Sequence, residues 1–383
     1  MIICVVCDVL GAENNGTTIA AMNLIRSLRA KGHTVRVVCP DEDKKGQPDY
    51  YVVKTLNFGP FNSYVKKNGV TIAKPDKKVL TAALSGADHV HLMIPFALGT
   101  KALRMAKDAH ISVTAGFHCQ AENITSHLFL KNNRFINKFV YRFFYRKFYR
   151  YVDGVHYPTE FIRGVFEKYG GKTVAYVISN GVSREFHPEE VERDPRFEGK
   201  QVVLFTGRYS KEKSHRVLID AVALSRHADT IQLVFAGDGP LKEKLQKRSR
   251  KLKNPPIFNF FSRRDMVRIL NTADLYVHPA EIEIEAISCL EAISCGLVPV
   301  ISDSPRSATR YFALDQNNLF ECNNSRALAE KIDYWLDHPA EKAARSEEYL
   351  GYTGQFDFDT CMDRMEKMII AVHKQTKETV NNG

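Results

Sequence analysis

Two α/β domains, each a Rossmann-like, doubly wound parallel sheet and together facing a central cleft, are the fold class this sequence predicts. Three observations carry the prediction. Short runs of Val, Ile, Leu and Cys alternate with amphipathic stretches along nearly the whole chain, the pattern of repeated βαβ units. The alternation lapses in a charged, proline-containing stretch over 183–201 and then restarts. At 383 residues, 44% apolar and 26% charged, the chain has a globular composition and room for two or three domains. The boundaries follow as 1–180 for the first domain, 181–200 for a linker and 201–355 for the second, with a helix over 356–375 packing back on the first.

The first half opens as strand 2–9, a Gly-containing loop 11–17, helix 19–31 and strand 34–39. Gly16 falls at the loop-to-helix junction, where a missing Cβ lets backbone N–H groups approach a bound group. The Gly-x-Gly-x-x-Gly signature is absent, so a nicotinamide cofactor is not supported. Residues 41–78 read as an irregular surface excursion. Helix 79–84, strand 89–93, helix 97–108 and strand 112–116 resume the alternation. His91 and His118 stand near the carboxyl ends of strands, where open α/β sheets place ligand groups. His91 reads as structural, whereas the polar run around His118 favours function.

Residues 129–151 carry Lys131, Arg134, Lys138, Arg142, Arg146, Lys147 and Arg150 among many aromatics, with no acidic residue. On one helix, Arg134, Lys138, Arg142, Arg146 and Arg150 form a cationic stripe, with Phe135, Phe139 and Phe143 beside it. Such a helix suits an anionic membrane surface; a nucleic-acid patch and an ordinary core helix with solvated arginines are the alternatives. Strand 153–158, helix 160–169 and strand 174–178 complete the half.

The second half restarts with strand 202–205 and a loop holding Gly207, Arg208 and Lys213 ahead of helix 216–225, a clamp suited to a diphosphate. Strand 231–236 ends in Gly237-Asp238-Gly239-Pro240 and a basic helix to residue 253. Strand 257–261, helix 265–271 and strand 273–278 lead to 279–303, read as loop, helix ending at Gly296, and strand 298–301. Glu283 stands before that helix and Glu291 two turns inside it. One carboxylate at a helix mouth, a second behind it and open N–H groups suit a nucleotide-sugar; solvated helix charges give the same spacing. Helices over 325–337 and 340–349 close the domain, and 376–383 reads as a frayed tail.

Glu283 and Glu291, taken with Gly207-Arg208, Lys213, the Gly237-Asp238-Gly239-Pro240 turn, Gly16 and His118, resemble the motif set of glycosyltransferase family 4 over almost the whole chain. The resemblance implies the GT-B fold and retaining transfer of a hexose from a nucleotide-sugar, such as UDP-glucose or a related UDP-sugar, without a bound metal or other cofactor. It implies that Arg208 and Lys213 neutralise the donor diphosphate, that Glu291 holds the ribose and that Glu283 holds the transferred sugar. His118 is then the histidine beside the reacting carbon, and Gly16, Gly207, Ala286 and Ile287 complete the donor-binding set. The sequence departs from the family in three places. Glu285-Ala286 stands where a Phe-Gly pair is usual, the first-domain glycine is single, and the base-binding turn reads Phe258-Asn259-Phe260-Phe261-Ser262.

Residues 117–123, the basic aromatic helix and residues 283–289 are most similar to bacterial members that glycosylate membrane lipids such as diacylglycerol. A polyprenyl-linked or soluble saccharide acceptor in wall or capsule synthesis is the alternative. A non-catalytic nucleotide-sugar-binding protein is the reading from another class. The net charge of +10 suits phosphates and an anionic membrane, with nucleic acid not expected as a partner. No stretch approaches the roughly 18 consecutive apolar residues of a membrane span, and Met1 runs directly into a strand, so the expected place is cytoplasmic, on the inner face of the membrane. The eight cysteines lie mostly in apolar segments and read as reduced buried thiols, Cys4 and Cys7 on opposite faces of one strand.

Overall fold

Runs such as Ile2 to Val6 and Val202 to Phe205 lack polar alternation because strands of a parallel sheet are covered on both faces. In the computed structural model, which describes residues 1–10, 16–57, 59, 72–127 and 132–381, they become the strands of two parallel sheets. The loop at 11–15 and Lys131 lie outside the described residues.

The first sheet is built by β1 (Ile2–Val6), α1 (Gly16–Ala30), β2 (Thr34–Cys39), β3 (Tyr50–Val52), α2 (Lys77–Leu84), β4 (His89–Leu92) and α3 (Ala97–Asp108). It continues with β5 (Ser112–Gly116), α4 (Ala121–His127), α5 (Arg134–Lys147), β6 (Gly154–Tyr157), α6 (Glu160–Tyr169) and β7 (Ala175–Val177). Its order is β3-β2-β1-β4-β5-β6-β7, every neighbouring pair parallel. Side chains start the helices: Asp76 accepts from the N–H groups of Lys78 and Val79, and Asn133 from those of Phe135 and Ile136. The stretch expected as one helix over 129–151 breaks at Phe148 (φ −142°, ψ −70°), which turns the chain into a short 3-10 turn, Tyr149–Tyr151. Arg150 is therefore off the helical stripe; its guanidinium lies over the Tyr151 ring.

The second sheet is built by β8 (Gln201–Thr206), α7 (His215–Leu224), β9 (Ile231–Ala236), α8 (Lys242–Ser249), β10 (Ile257–Asn259), α9 (Arg263–Thr272) and β11 (Leu275–His278). Then come α10 (Ile287–Ser294), β12 (Pro299–Asp303), β13 (Leu319–Glu321), α11 (Ser325–Asp337) and α12 (Pro339–Thr353), before the long α13 (Phe358–Asn381). The order is β10-β9-β8-β11-β12-β13, again parallel throughout.

Two compact units result: Met1–Asn180 with Asp359–Gly383, and Gly181–Phe358. The stretch 181–200, expected as a linker, instead belongs to the second unit. Val182 exchanges backbone hydrogen bonds with Phe356 and Phe358, and Phe186 and Phe197 are buried in that unit's core. α13 is tied to the first unit through Lys31 and His33, which meet Glu366, and through Arg364, which donates to the Val177 carbonyl. In each sheet the strand order reverses at one place, between β1 and β4 and between β8 and β11. A crevice at the carboxyl ends of the strands opens there, the usual seat of a ligand in open α/β sheets.

Candidate active site

In the second unit the reversal puts two loops side by side, 207–214 after β8 and 279–286 after β11. The first is shaped by glycine. The Gly207 N–H donates to the Ala236 carbonyl at 2.9 Å, and the Gly237-Asp238-Gly239 turn lies flat against 207–209. A Cβ on Gly237 would stand 2.2 Å from the Gly207 carbonyl oxygen, and one on Gly239 would stand 2.7 Å from the Tyr209 nitrogen. Both glycines are at φ values open to glycine, +155° and +158°. Tyr209 N–H donates to the Asp238 carbonyl, and the buried Tyr209 hydroxyl donates to the Phe235 carbonyl at 2.8 Å. This packing holds Arg208, half-buried, at the mouth of the crevice. Burial lowers its guanidinium from the usual value, against the pull of Glu212 and Asp238.

A 3-10 turn, Lys211–Lys213, and Ser214 in the left-handed region (φ 53°) lead into α7 and send Lys213 toward the second loop. There its ammonium donates to Glu283. His278 Nε2, at the end of β11, stands 3.1 Å from the same carboxylate oxygen. A relay continues behind it: Tyr276 Oη is 3.4 Å from His278 Nδ1 and donates to Ser288 Oγ at 3.3 Å, and Ser288 Oγ donates to the Thr206 carbonyl. Burial alone would raise the Glu283 carboxyl, but Lys213 and His278 outweigh it and hold it at about 2. Burial lowers His278 and keeps it largely neutral near pH 7, Glu283 pulling the other way. The site therefore presents an ionised carboxylate, a cation and a neutral imidazole together.

α10 begins at Ile287, preceded by Ala286, whose methyl cannot cap the first turn, so the N–H groups of Ile287 and Ser288 are available to an anion. Glu291 lies in the second turn of that helix, its carboxyl pushed up to about 7 by burial, with Arg263 opposing. The structure thus gathers Gly207, Arg208, Lys213, Glu283, Ala286, Ile287 and Glu291 around two adjacent loops of one unit. His278, Tyr276 and Ser288 were missed. The signal for His278 was its place as the last residue of a strand that feeds a candidate loop.

The first unit holds the other expected residues. Gly16 opens α1, is exposed, and a Cβ there would meet nothing within 4 Å, so the protein's own packing does not demand glycine. His118 follows β5 with its ring edge-on to His156, centroids 5.6 Å apart, and His156 Nε2 meets the Ile178 carbonyl at 2.7 Å. Burial and the neighbouring His156 and His91 hold the His118 imidazole well below its usual value, so it is neutral. His91 is buried with Nδ1 2.9 Å from Thr114 Oγ1, a structural setting. On α5, Phe135, Phe139 and Phe143 are 86%, 69% and 50% exposed, an arrangement an ordinary core helix would not leave. Arg134, Arg142, Arg146 and Lys147 are exposed beside them and Lys138 is half-buried. Asn137, Tyr141 and Phe144 face inward.

Two family models match, described as Glycosyltransferase Family 4 over residues 14–186 and Glycosyl transferases group 1 over residues 187–350. Among curated proteins, the alpha-monoglucosyldiacylglycerol synthase of Streptococcus pneumoniae is 24% identical over 310 residues, 77% of this chain and 69% of the relative. The GDP-mannose-dependent alpha-(1-6)-phosphatidylinositol dimannoside mannosyltransferase of Mycobacterium tuberculosis is 29% identical over 200 residues, 50% of this chain and 51% of the relative. Among solved structures, Anabaena HepE in complex with UDP-glucose superposes with a TM-score of 0.70 at 18% identity, covering 100% of both chains.

Proposed function

The chain belongs to the GT-B glycosyltransferases of family 4, and from that premise we propose that it is a retaining, metal-independent transferase moving a hexose from a UDP-sugar, UDP-glucose first, to a membrane-lipid acceptor such as diacylglycerol. The observation that carries the reading is the Lys213–Glu283–His278 cluster beside the uncapped start of α10. Departure of a nucleoside diphosphate builds negative charge, which Lys213, Arg208 and the helix N–H groups can stabilise from fixed positions without a metal. In this reading Glu283, ionised, accepts from the sugar hydroxyls, Glu291 accepts from the ribose, and neutral His118 serves the reacting sugar. None of these carboxylates is given the part of a covalent nucleophile, which fits same-face displacement.

The lipid acceptor is supported by the names of both curated relatives, diacylglycerol in one and phosphatidylinositol in the other. Their donors differ, since the mycobacterial relative is named for GDP-mannose. α5 suits the inner face of an anionic membrane: its exposed phenylalanines can enter the acyl boundary, and each flanking Arg or Lys adds about 1 kcal/mol near the surface. Among the described residues, no helix is long and apolar enough to cross a membrane.

The deciding experiment crosses UDP-glucose, UDP-galactose, UDP-N-acetylglucosamine and GDP-mannose with diacylglycerol and phosphatidylinositol micelles in the presence of EDTA. Transfer from UDP-glucose to diacylglycerol with the anomeric configuration kept is the expected result. Transfer from GDP-mannose alone, loss of activity in EDTA, or an inverted product each overturns the corresponding part. Tight UDP binding with no turnover on any acceptor, unchanged in His118→Ala, would favour a nucleotide-sugar sensor.

A further inference from the structure

The loop that carries Glu283 is fastened by a side chain from another strand end. Glu281 is only 3% exposed, and an ionised carboxylate so buried needs a cation. Arg306, on the loop after β12, supplies it through a direct ion pair. The surrounding backbone converges on the same two residues. Glu281 N–H donates to the Glu212 carbonyl at 2.8 Å, one residue before Lys213, and its own carbonyl accepts from Ser304 Oγ at 2.6 Å. Glu283 N–H donates to the Arg306 carbonyl at 3.3 Å, and Ala308 N–H donates to the Glu283 carbonyl at 2.9 Å. These bonds lay Glu283 against Ser307 as a short parallel bridge. Ser304, Ser307 and Thr309 are fully buried, so the 304–309 loop forms a firm wall behind the carboxylate.

We propose that Arg306 and Glu281 are a positioning pair that sets the Glu283 carboxylate against Lys213 and thereby governs how the site grips the sugar of its donor, as distinct from the nucleotide. The argument is one of connectivity. Glu281 joins the loop of Lys213 to the loop of Glu283, and Arg306 joins both to the end of β12. Loss of the cation leaves a buried carboxylate that must move toward water, and Glu283, two residues on, moves with it. The base and ribose side of the site, at α10 and Glu291, does not run through this pair. The inference rests on the reading of Glu283 as the carboxylate that holds the transferred sugar.

Calorimetric titration of UDP-glucose against UDP, and of GDP-mannose against GDP, is the test, made on the parent, Glu283→Gln, Arg306→Ala, Arg306→Lys and Glu281→Gln, with transfer kcat measured alongside. The readout is the affinity ratio of sugar nucleotide to bare nucleotide. Arg306→Ala and Glu281→Gln are expected to shift that ratio at least 5-fold toward the bare nucleotide and to lower kcat at least 10-fold, with bare-nucleotide affinity within 2-fold of the parent. Arg306→Lys, which keeps the charge, is expected to recover most of both. An unchanged ratio and kcat in Arg306→Ala, or equal weakening of both ligands, overturns the proposal. Should Arg306→Ala not fold, Glu281→Gln and Arg306→Lys read the same ratio, and no shift in Glu281→Gln overturns it. Glu283→Gln separates the two levels. An unshifted ratio there sinks the reading of Glu283 itself, whereas a shift there without one in the Arg306 and Glu281 variants sinks only the pair.

Discussion

Glu283 and Glu291 stand on one short segment, yet their carboxyls end at about 2 and about 7. Burial raises both; only Glu283 has a lysine in direct contact, and that contact decides the sign. The consequences for stability run oppositely. Glu283, held below its ordinary value, contributes stability above about 4.5 that is lost as pH falls toward 2. Glu291, held above its ordinary value, contributes stability below about 4.5 that is lost as pH rises through 7. Glu291→Gln is therefore expected to gain in thermal midpoint relative to the parent as pH is raised from 5 to 8. The same variant should lose the tightening of UDP binding over that range, a change calorimetry at each pH reads directly. Lys213→Ala is expected to lower kcat/KM by about 10²- to 10³-fold. It should also cost about 3–5 kcal/mol of stability at pH 7, because Glu283 is left buried without its cation, and the difference in denaturation midpoint should close only in strong acid. The spacing of the two glutamates was legible along the chain. Arg306 was not, because its partner Glu281 lies 25 residues back and meets it only through strand order and loop contact. His278, five residues before Glu283, was within reach along the chain, but nothing in the spacing says that its ring turns onto that carboxylate.

The basic helix α5 shows the same division at the scale of an element. A repeat of four in its arginines and phenylalanines was readable, and three of those phenylalanines are exposed. Its inward face was not readable as a fastening. Tyr141 Oη donates to the buried Glu122 of α4 at 2.5 Å, and Thr125 Oγ1 donates to Asn137 Oδ1 at 2.7 Å, so α5 is pinned to the helix that follows His118. The helix α4 itself was hidden because its polar residues resemble a loop. Phe135→Ser with Phe139→Ser is expected to leave the folded stability within about 0.5 kcal/mol, both side chains being exposed. Co-sedimentation with anionic vesicles should fall several-fold, and equal binding of parent and variant to anionic vesicles, or parent binding that ignores lipid charge and salt, would remove the membrane role. Tyr141→Phe is expected to cost about 1–3 kcal/mol in a denaturant melt, since it strips the buried Glu122 of a donor.

For the molecule as a whole, the alternation of strands and helices announced two doubly wound units, because long hydrophobic periods survive tertiary packing. The placement of 181–200 was less legible, since Val182, Phe186 and Phe197 are sparse among charges and only their burial assigns them to the second core. The closing helix α13 buries Met362, Met365, Met368, Ile369 and Val372. A chain cut after Phe358 is expected to leave the first unit with that apolar surface bare. Its melting transition should fall by ten degrees or more or vanish into aggregation, while the second unit, read by UDP-dependent stabilisation, keeps its own. The split of the first unit across 1–180 and 359–383 has one more consequence, in the order of birth. On a ribosome the second unit is contiguous and can close as soon as its last strand and helices have emerged. The unit that is made first must wait, its sheet assembled but the surface that α13 buries still bare, until the chain has passed residue 372, and a chaperone that shields apolar surface has its longest task there.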